Sequence, residues 1–291
     1  MHLLADPVDG SKLNLENEYI ISKTGHQYIF NEDIPLLIAT KSQIQPNISD
    51  TFQDFKYHDH YQKDAEYFDY SKSYEEAVTN FEQDMLHQSI LRRIPPQAEI
   101  ILDVGCGNGW VAKNLIPKNH VVISMDISIL NPLKAVRKYS HSNHLGLVAD
   151  GLALPFRPNS VDAVIAAEIM EHVVDPALFI KRLYEALKPG GRIIITTPYN
   201  EKIEFSLCIH CNKATPRHAH LHSFHEKNIP HLIPDGAEYT MKKFMNKFLL
   251  KLRSHYLFRH LPFVFWKQAD KFAEFCRPEA LRFQIEISKP L

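Results

Sequence analysis

The stretch that decides the fold is "ILDVGCGNGW", residues 101–110. An apolar run ends near Asp103, and glycines then occupy every second position, at 105, 107 and 109. Glycine lets the backbone turn tightly and approach a ligand because it carries no Cβ. The run "EIILDV" predicts a strand and "WVAKNLI" predicts the start of a helix. A strand, a glycine loop and a helix in this order predict a nucleotide-type site at the carboxyl end of the first strand.

Short apolar runs and helical stretches alternate from about residue 99 to residue 200. Strands that are buried on both faces and alternate with helices indicate a doubly wound, mostly parallel sheet. We therefore predict an α/β fold with seven strands, the last being "LRFQIEISKP". The predicted organisation is a small β module over 1–40, a linker with helical turns over 41–75, and a main domain over 76–291, with a Cys/His-rich insertion over 201–225 and a basic helical lid over 246–275.

Composition excludes several classes of protein. The chain has 291 residues, 45% of them hydrophobic, and a formal net charge of -1, so the whole chain has no electrostatic attraction for nucleic acid. No apolar run is long enough to span a membrane, and the N-terminus predicts no signal peptide. The four cysteines show no even spacing, which favours a reducing compartment over a disulfide framework. The sequence therefore predicts a cytoplasmic protein.

The glycine spacing distinguishes between ligands. A dinucleotide site needs G-x-G-x-x-G, which would place glycine where this chain has Trp110. The spacing D-x-G-x-G-x-G instead resembles motif I of the class I S-adenosylmethionine-dependent methyltransferases. Four further landmarks of that family follow in order: "VVISMDIS", "VADGLALPF", "VDAVIAAEIMEHV" and "LKPGGRIIITTP". The resemblance covers about residues 80–200 and the last strand, and it implies a Rossmann-like fold with S-adenosylmethionine as methyl donor.

The resemblance also implies where the donor binds. Asp126 would accept hydrogen bonds from the ribose hydroxyls, Asp150 would meet the adenine amino group, and Asp103 would lie near the ammonium end. The simpler interpretations are a helix cap for Asp126 and a turn residue for Asp150. The full donor-binding set that we predict is Asp103, Gly105, Cys106, Gly107, Gly109, Asp126, Ile127, Asp150, Gly151 and Glu168.

The segment "EIMEH" supplies the candidate catalytic residues Glu168, Glu171 and His172. A hydroxyl or acidic carbon acceptor must lose a proton, and histidine titrates near neutrality. The same cluster resembles that of the ubiquinone-biosynthesis O-methyltransferases, where it can hold a divalent cation against a catechol-like substrate. The simpler interpretation is a loop braced by hydrogen bonds.

Two segments raise the question of zinc. Residues 1–40 resemble the zinc-ribbon-like domain of tRNA- and protein-methyltransferase activators, but Ala5 or Asp6, Asp9, Ser22 and Gly25 stand where that domain has cysteines, which removes the metal. In the insertion, Cys208-x-x-Cys211 is half of a tetrahedral zinc site. His218, His220, His222 and His225 could supply the rest, and the set that we predict is Cys208, Cys211, His220 and His222. The alternative for the insertion is a histidine-rich substrate loop without metal.

The segment 241–267 contains seven Lys or Arg residues, no acid and many large apolar side chains. Four interpretations compete for it: a lid over an apolar substrate, an interfacial helix on anionic lipid, a nucleic-acid groove and an oligomer contact. We predict a methyltransferase that acts on a small, apolar or lipid-like acceptor, at oxygen rather than carbon or nitrogen. The alternatives are a tRNA or protein methyltransferase and a non-catalytic scaffold that binds S-adenosylmethionine.

Overall fold

The computed structural model describes residues 2–39, 46, 54–70, 76–209 and 211–291. About half of the predicted linker, at 41–45, 47–53 and 71–75, lies outside the described residues. The strands are β1 (Leu13–Glu16), β2 (Tyr19–Ser22), β3 (Gln27–Asn31), β4 (Ile34–Leu37), β5 (Ile100–Val104), β6 (Val121–Asp126), β7 (His144–Ala149), β8 (Val161–Ala167), β9 (Leu187–Pro198), β10 (Phe205–Leu207), β11 (Ala214–Pro216), β12 (Glu238–Asn246) and β13 (Ala280–Ser288). The helices are α1 (Tyr57–Tyr67), α2 (Ala77–Leu91), α3 (Trp110–Leu115), α4 (Leu130–Lys138), α5 (Pro176–Ala186), α6 (Lys247–Lys251), α7 (His255–Phe258) and α8 (Phe263–Cys276).

The main sheet confirms the doubly wound prediction. Its order is β1-β2-β3-β4-β7-β6-β5-β8-β9-β13-β12. Strands β7, β6, β5, β8 and β9 run parallel, and β13 lies antiparallel between β9 and β12. From β5 the chain winds first toward β6 and β7, then returns to β8 on the other side. This change of direction is the topological switch point at which ligands bind in open α/β sheets.

The sheet has eleven strands rather than the predicted seven because the N-terminal module joins its edge. Strand β4 pairs in parallel with β7 through Leu36–Val148 and Leu37–Ala149. The module therefore covers the edge of β7, which would otherwise present unpaired backbone groups. Side chains of the module, such as Ile20, are buried in the same apolar core as the central strands.

Asp6, at one of the positions that resemble a zinc ligand, sits in a hydrogen-bonded network. Its Oδ1 accepts from the backbone N–H of Val8 at 2.7 Å and from the hydroxyl of Tyr28 at 3.2 Å. Its Oδ2 lies 2.9 Å from Nδ1 of His26. Ligand-type atoms of Asp6, Asp9 and His26 lie within 4.8 Å of one another. Because both oxygens of Asp6 lie within hydrogen-bonding distance of these groups, the network links the first turn to Tyr28 of β3.

The predicted helical insertion before the last strand is α6, α7 and α8. Its buried side chains Phe263 and Trp266 pack in one apolar cluster with Phe81 and Met85 of α2 and Phe244 of β12. The insertion therefore lies against α2 and β12. None of the helices that the structure describes combines the length and the apolar character needed to cross a bilayer.

Candidate active site

A cleft of about 2400 Å³ opens where β5, β6, β7 and β8 end. Its walls are the glycine loop, the loops after these strands, α1, and the β10–β11 hairpin. The predicted site residues that line it are Gly105, Cys106, Gly107, Asp126, Ile127, Asp150, Gly151, Glu168, Glu171 and His172, together with Cys208, Cys211 and His220 of the predicted zinc set. The volume exceeds the roughly 300–1,000 Å³ of a typical small-molecule site, which leaves room for two ligands side by side.

The glycine loop presents an open backbone to the cleft. Gly107 has a φ of +48°, and a Cβ built on it would meet nothing within 4 Å. Gly105 has a φ of +71°, and its Cβ would lie 2.2 Å from Cδ1 of Ile169. The loop is held in place by the N–H of Gly105, which donates to the carbonyl of Met125 at 2.8 Å. Gly105 is therefore required by packing, whereas Gly107 leaves space at the cleft wall.

Asp126 ends β6 with its carboxylate at the cleft. Its Oδ1 accepts from the N–H and the hydroxyl of Ser128, both at 2.9 Å, and its Oδ2 accepts from Nδ2 of Asn131 at 3.0 Å. Burial raises the pKa of Asp126, and these hydrogen bonds oppose the rise. The carboxylate is thereby fixed in orientation at the position where the resemblance requires a ribose acceptor.

Asp103 and Gly109 were predicted to bind the donor, but neither lines the cleft. The side chain of Asp103 is buried beneath the glycine loop, and its Oδ2 has no hydrogen-bond partner among the described residues. Burial, followed by the charge of Asp126, raises the pKa of Asp103 well above its usual range. A residue in a central parallel strand is covered on both faces of the sheet, which accounts for this burial, and the role of Asp103 in donor binding stays a prediction.

Asp150 is held by helix α1, which the sequence did not assign to the site. Its Oδ2 accepts from the hydroxyl of Tyr57 at 2.7 Å and lies 3.0 Å from Nε2 of His58. Its Oδ1 accepts from the N–H of Leu152 at 2.8 Å. Burial, then the charge of Asp150, raises the pKa of Tyr57, so its hydroxyl stays a donor. Helix α1 thus closes the side of the cleft where the resemblance places adenine.

His172 is a neutral imidazole with a defined tautomer. Its Nδ1 lies 3.2 Å from the carbonyl oxygen of Ala219, which can only accept, so Nδ1 carries the proton and Nε2 keeps a lone pair. Burial, assisted by His220, lowers the pKa of His172 to about 4. The hydroxyl of Tyr61 donates to the backbone carbonyl of His172 at 3.1 Å and fixes it from the side of α1.

Glu171 lies beside His172 and is almost fully buried. Its Oε2 has no hydrogen-bond partner among the described residues. Burial, then the charge of Glu168, raises the pKa of Glu171 well above its usual range. Ligand-type atoms of Glu171, His172 and His220 lie within 4.8 Å of one another. His220 belongs to the Cys/His-rich insertion, and its Nδ1 is 2.6 Å from Oε2 of Glu201.

Glu168 adopts a left-handed backbone conformation, with φ of +56°. Its Oε2 forms a 3.0 Å ion pair with Nε of Arg282 on β13. Backbone strain at a non-glycine residue persists only where surrounding contacts impose it. The ion pair with Arg282 and the position of Glu168 at the cleft supply that context. Arg282 is a further site residue that the sequence did not reveal.

A known family matches this part of the chain. The family described as "Methyltransferase domain" covers residues 102–195, which include the glycine loop, Asp126, Asp150 and the pair Glu171 and His172. Residues 102–195 therefore carry a methyltransferase domain, which agrees with the resemblance drawn from the sequence.

Known relatives place this methyltransferase domain in context. A ubiquinone biosynthesis O-methyltransferase of Bradyrhizobium diazoefficiens is 32% identical over 118 residues, 38% of this chain and 44% of the relative. The chain spans half or less of the length of the curated relatives that it matches. The [4+2]-cyclase SpnF aligns with a TM-score of 0.54 at 17% identity, over 85% of this chain and 98% of that chain. A second solved structure is phosphoethanolamine N-methyltransferase 2 of Haemonchus contortus, in complex with phosphomonomethylethanolamine and S-adenosylhomocysteine. It aligns with a TM-score of 0.50 at 18% identity, over 74% of this chain and 58% of that chain.

The structural likenesses show the fold of the methyltransferase domain and do not fix its reaction. SpnF is named as a cyclase, so this fold supports chemistry other than methyl transfer. The argument for function must therefore rest on the cleft itself.

Cys208, Cys211 and His220 of the predicted zinc set line the cleft, but the four predicted ligands do not form one cluster among the described residues. His220 lies with Glu171 and His172, whereas the side chain of His222 lies beside the backbone of Val173 and Val174. Among the described residues, no metal-type cluster contains Cys208 or Cys211. The predicted zinc set was wrong because ligands that are close in the sequence of the insertion lie apart in the structure. The β10–β11 hairpin holds the two cysteines, and the chain then crosses to Glu171, whose carbonyl accepts from the N–H of Leu221 at 2.7 Å.

The predicted lid is also corrected. Of residues 246–275, only Lys247 lines the cleft of the methyltransferase domain, because the insertion packs on α2 and β12 instead. Helix α1 covers the site in its place. The signal for it was the aromatic and histidine-rich segment 55–70, which has no strong apolar period but supplies donors and rings. On α2, His87 stacks on Trp110 at 3.8 Å between ring centroids and forms a further wall.

Proposed function

We propose that this chain transfers the methyl group of S-adenosylmethionine to a hydroxyl oxygen of a small, apolar or lipid-like acceptor. One observation carries the proposal: the glycine loop, Asp126 and Asp150 share a single cleft with a neutral imidazole that has an unprotonated nitrogen. The acceptor's apolar character is supported by the aromatic side chains among the cleft walls, including Phe55, Phe68 and Phe205.

The residues present fit the donor. Gly107 leaves open space where any side chain would intrude, and Asp126 and Asp150 offer carboxylate oxygens at the ends of adjacent strands. Carboxylate oxygens accept hydrogen bonds from ribose hydroxyls and from an exocyclic amino group. When bound, the donor supplies an activated methyl group on a sulfonium. The chain's own task is to orient the acceptor and to exclude water.

Methyl transfer to a hydroxyl oxygen requires the removal of a proton. A hydroxyl that gains a methyl group must lose its proton, and Nε2 of His172 has the lone pair to receive it. The low pKa of His172 keeps that nitrogen unprotonated across the neutral range. Glu171 lies beside it with a raised pKa, so its carboxyl is the second candidate proton acceptor.

A second role for the same residues is metal binding. A buried carboxylate oxygen without a partner and two imidazoles are ligand types that divalent cations accept, and Glu171, His172 and His220 provide them within 4.8 Å. A cation there would hold an acceptor oxygen and favour its deprotonation. The test is Mn²⁺ binding followed by electron paramagnetic resonance, independent of turnover. Binding should be lost in His220→Ala and kept in His218→Ala, an exposed neighbour; equal binding in both would exclude this role.

The donor and the acceptor need separate experiments. Calorimetry with S-adenosylhomocysteine should show binding that Asp126→Ala abolishes. Donor labelled in the methyl group should then be incubated with cell extract, and the labelled product partitioned. Label in the organic phase supports the proposal, whereas label in RNA or in protein supports the corresponding macromolecular methyltransferase. Donor binding without any labelled product would favour a non-catalytic scaffold.

A further inference from the structure

The insertion of α6–α8 carries an unusual group of exposed apolar side chains. Phe272 is 69% exposed and Phe275 is 85% exposed. The full group lies within residues 252–275 and consists of Leu252, Tyr256, Leu257, Leu261, Val264, Phe265, Phe272 and Phe275. We call these side chains and the exposed cations among them the insertion surface. Apolar groups of this size on one segment mark an interaction site.

The apolar core does not account for these side chains, because α8 already buries another face. Phe263, Trp266 and Ala273 face inward, and the ring of Trp266 meets that of Phe81 edge-on at 6.4 Å. A helix at the surface of a soluble domain normally has one apolar stripe. Helix α8 has a second one on the side turned away from the domain, which indicates a second contact.

The acidic side chains of the insertion face the domain, and its basic side chains remain on the outer side. Residues 247–276 contain six Lys or Arg residues and two acids. Both acids turn inward: Asp270 accepts from the N–H groups of Met245 and Asn246 at 3.1 and 2.7 Å, and Glu274 accepts from Nδ2 of Asn246 at 2.8 Å. The outer side is therefore left with cations.

The outward cations lie among the exposed apolar groups. Arg253, Arg259 and Lys271 are exposed. The guanidinium of Arg259 sits 5.3 Å from the ring centroid of Tyr256, which is itself half-exposed. Positive charge interleaved with aromatic and aliphatic side chains matches the boundary between lipid headgroups and acyl chains.

We infer that the insertion surface binds the face of an anionic lipid bilayer, with its phenylalanine and leucine side chains at the acyl boundary and its cations against lipid phosphates. A second copy of the chain would bring like charges together. An RNA would satisfy the cations but leave Phe272 and Phe275 in water. No residue of the insertion surface lines the cleft, so this binding is a property distinct from donor binding.

The test uses the full chain and vesicles of phosphatidylcholine with or without phosphatidylserine. The protein should sediment with the anionic vesicles and much less with the neutral ones. Phe272→Ser combined with Phe275→Ser should weaken binding by about tenfold or more, because two large apolar groups no longer leave water. Arg253→Glu combined with Lys271→Glu should weaken binding to the anionic vesicles and remove its salt dependence. The matched control is Leu15→Ser, on β1, where Leu15 is 58% exposed.

Several outcomes would overturn the inference. These are equal binding to both vesicle types, no binding at all, or equal losses in the control and the phenylalanine variants. A dimer in sedimentation equilibrium that the phenylalanine variants dissociate would assign the surface to a second copy. RNA retention that the charge variants abolish, without vesicle binding, would assign it to nucleic acid. Donor affinity by calorimetry should equal that of the wild type in every variant, so failure of this inference is separate from failure of the proposed function.

Discussion

Replacement of Gly107 by alanine tests whether the glycine loop cradles the donor. An L-residue with the φ of +48° found at Gly107 costs ~1–2 kcal/mol. The added methyl group would meet no atom within 4 Å and would occupy open space at the cleft wall. We therefore expect the free energy of unfolding to fall by about 1–2 kcal/mol. The affinity for S-adenosylhomocysteine should fall by about tenfold or more, because a loss of ~1.4 kcal/mol in binding corresponds to tenfold.

Two other glycines separate strain from ligand contact. Gly236 has a φ of +76° and equally open surroundings, but it does not line the cleft. Gly236→Ala should therefore show the same loss of stability with unchanged affinity. Gly105→Ala should lose more stability, because its Cβ would lie 2.2 Å from Cδ1 of Ile169. Adding Ile169→Ala should recover part of that loss, since the nearest remaining atom of the side chain would be 3.8 Å away.

The assays are urea unfolding and isothermal calorimetry on the same preparations. The decisive comparison is between Gly107→Ala and Gly236→Ala, which share the strain and differ in position. If Gly107→Ala binds the ligand as tightly as Gly236→Ala does, the donor does not approach the loop and the proposed site is wrong. If Ile169→Ala rescues Gly107→Ala as well as Gly105→Ala, the packing argument fails instead.

Three further predictions concern buried polar groups. Arg282→Met should cost about 1–3 kcal/mol, because the carboxylate of Glu168 loses its charged partner; urea unfolding at neutral pH tests this. The pKa of His172 falls from 6.5 to about 4 on folding, so between these pH values the unfolded chain binds a proton that the folded chain does not. The free energy of unfolding of the wild type should therefore drop by up to about 3 kcal/mol as the pH falls from 6.5 to 4. His172→Gln should lack that contribution in urea unfolding across the same window. Asp6→Ala should cost about 1–3 kcal/mol by thermal unfolding, whereas Asp9→Ala, at an exposed side chain, should cost much less.

The parts of the site that the sequence predicted are local. The glycine loop, Asp126 and Asp150 each follow directly after an apolar strand, and parallel strands bring their carboxyl ends to one edge. The order of the landmarks therefore predicts their meeting without any knowledge of packing. The same logic predicted the helical insertion as an element, since its buried positions follow a helical spacing.

The parts that the sequence missed depend on long-range contacts. Tyr57 reaches Asp150 across 93 residues, and Ala219 reaches His172 across 47. No spacing rule relates such distant positions. Each lies in a segment whose apolar residues show no clear helical or strand periodicity. The predicted zinc set failed for the same reason: four ligand-type side chains close in sequence were distributed between a hairpin and the loop beside Glu171.

The buried acids around the cleft give the site a shared electrostatic character. The pKa of Asp103, of Asp126 and of Glu171 is raised, in each case first by burial. Of the three, Glu171 alone has an arginine, Arg282, among the charges that lower its pKa. The fold therefore holds carboxyl groups at the strand ends at a cost in stability. A positively charged ligand in the cleft would offset that cost, whereas a nicotinamide dinucleotide, with its anionic pyrophosphate, would add to it. A cationic ligand would also favour the ionised form of Asp126 and Glu171, which line the cleft, and this argument is separate from the glycine spacing.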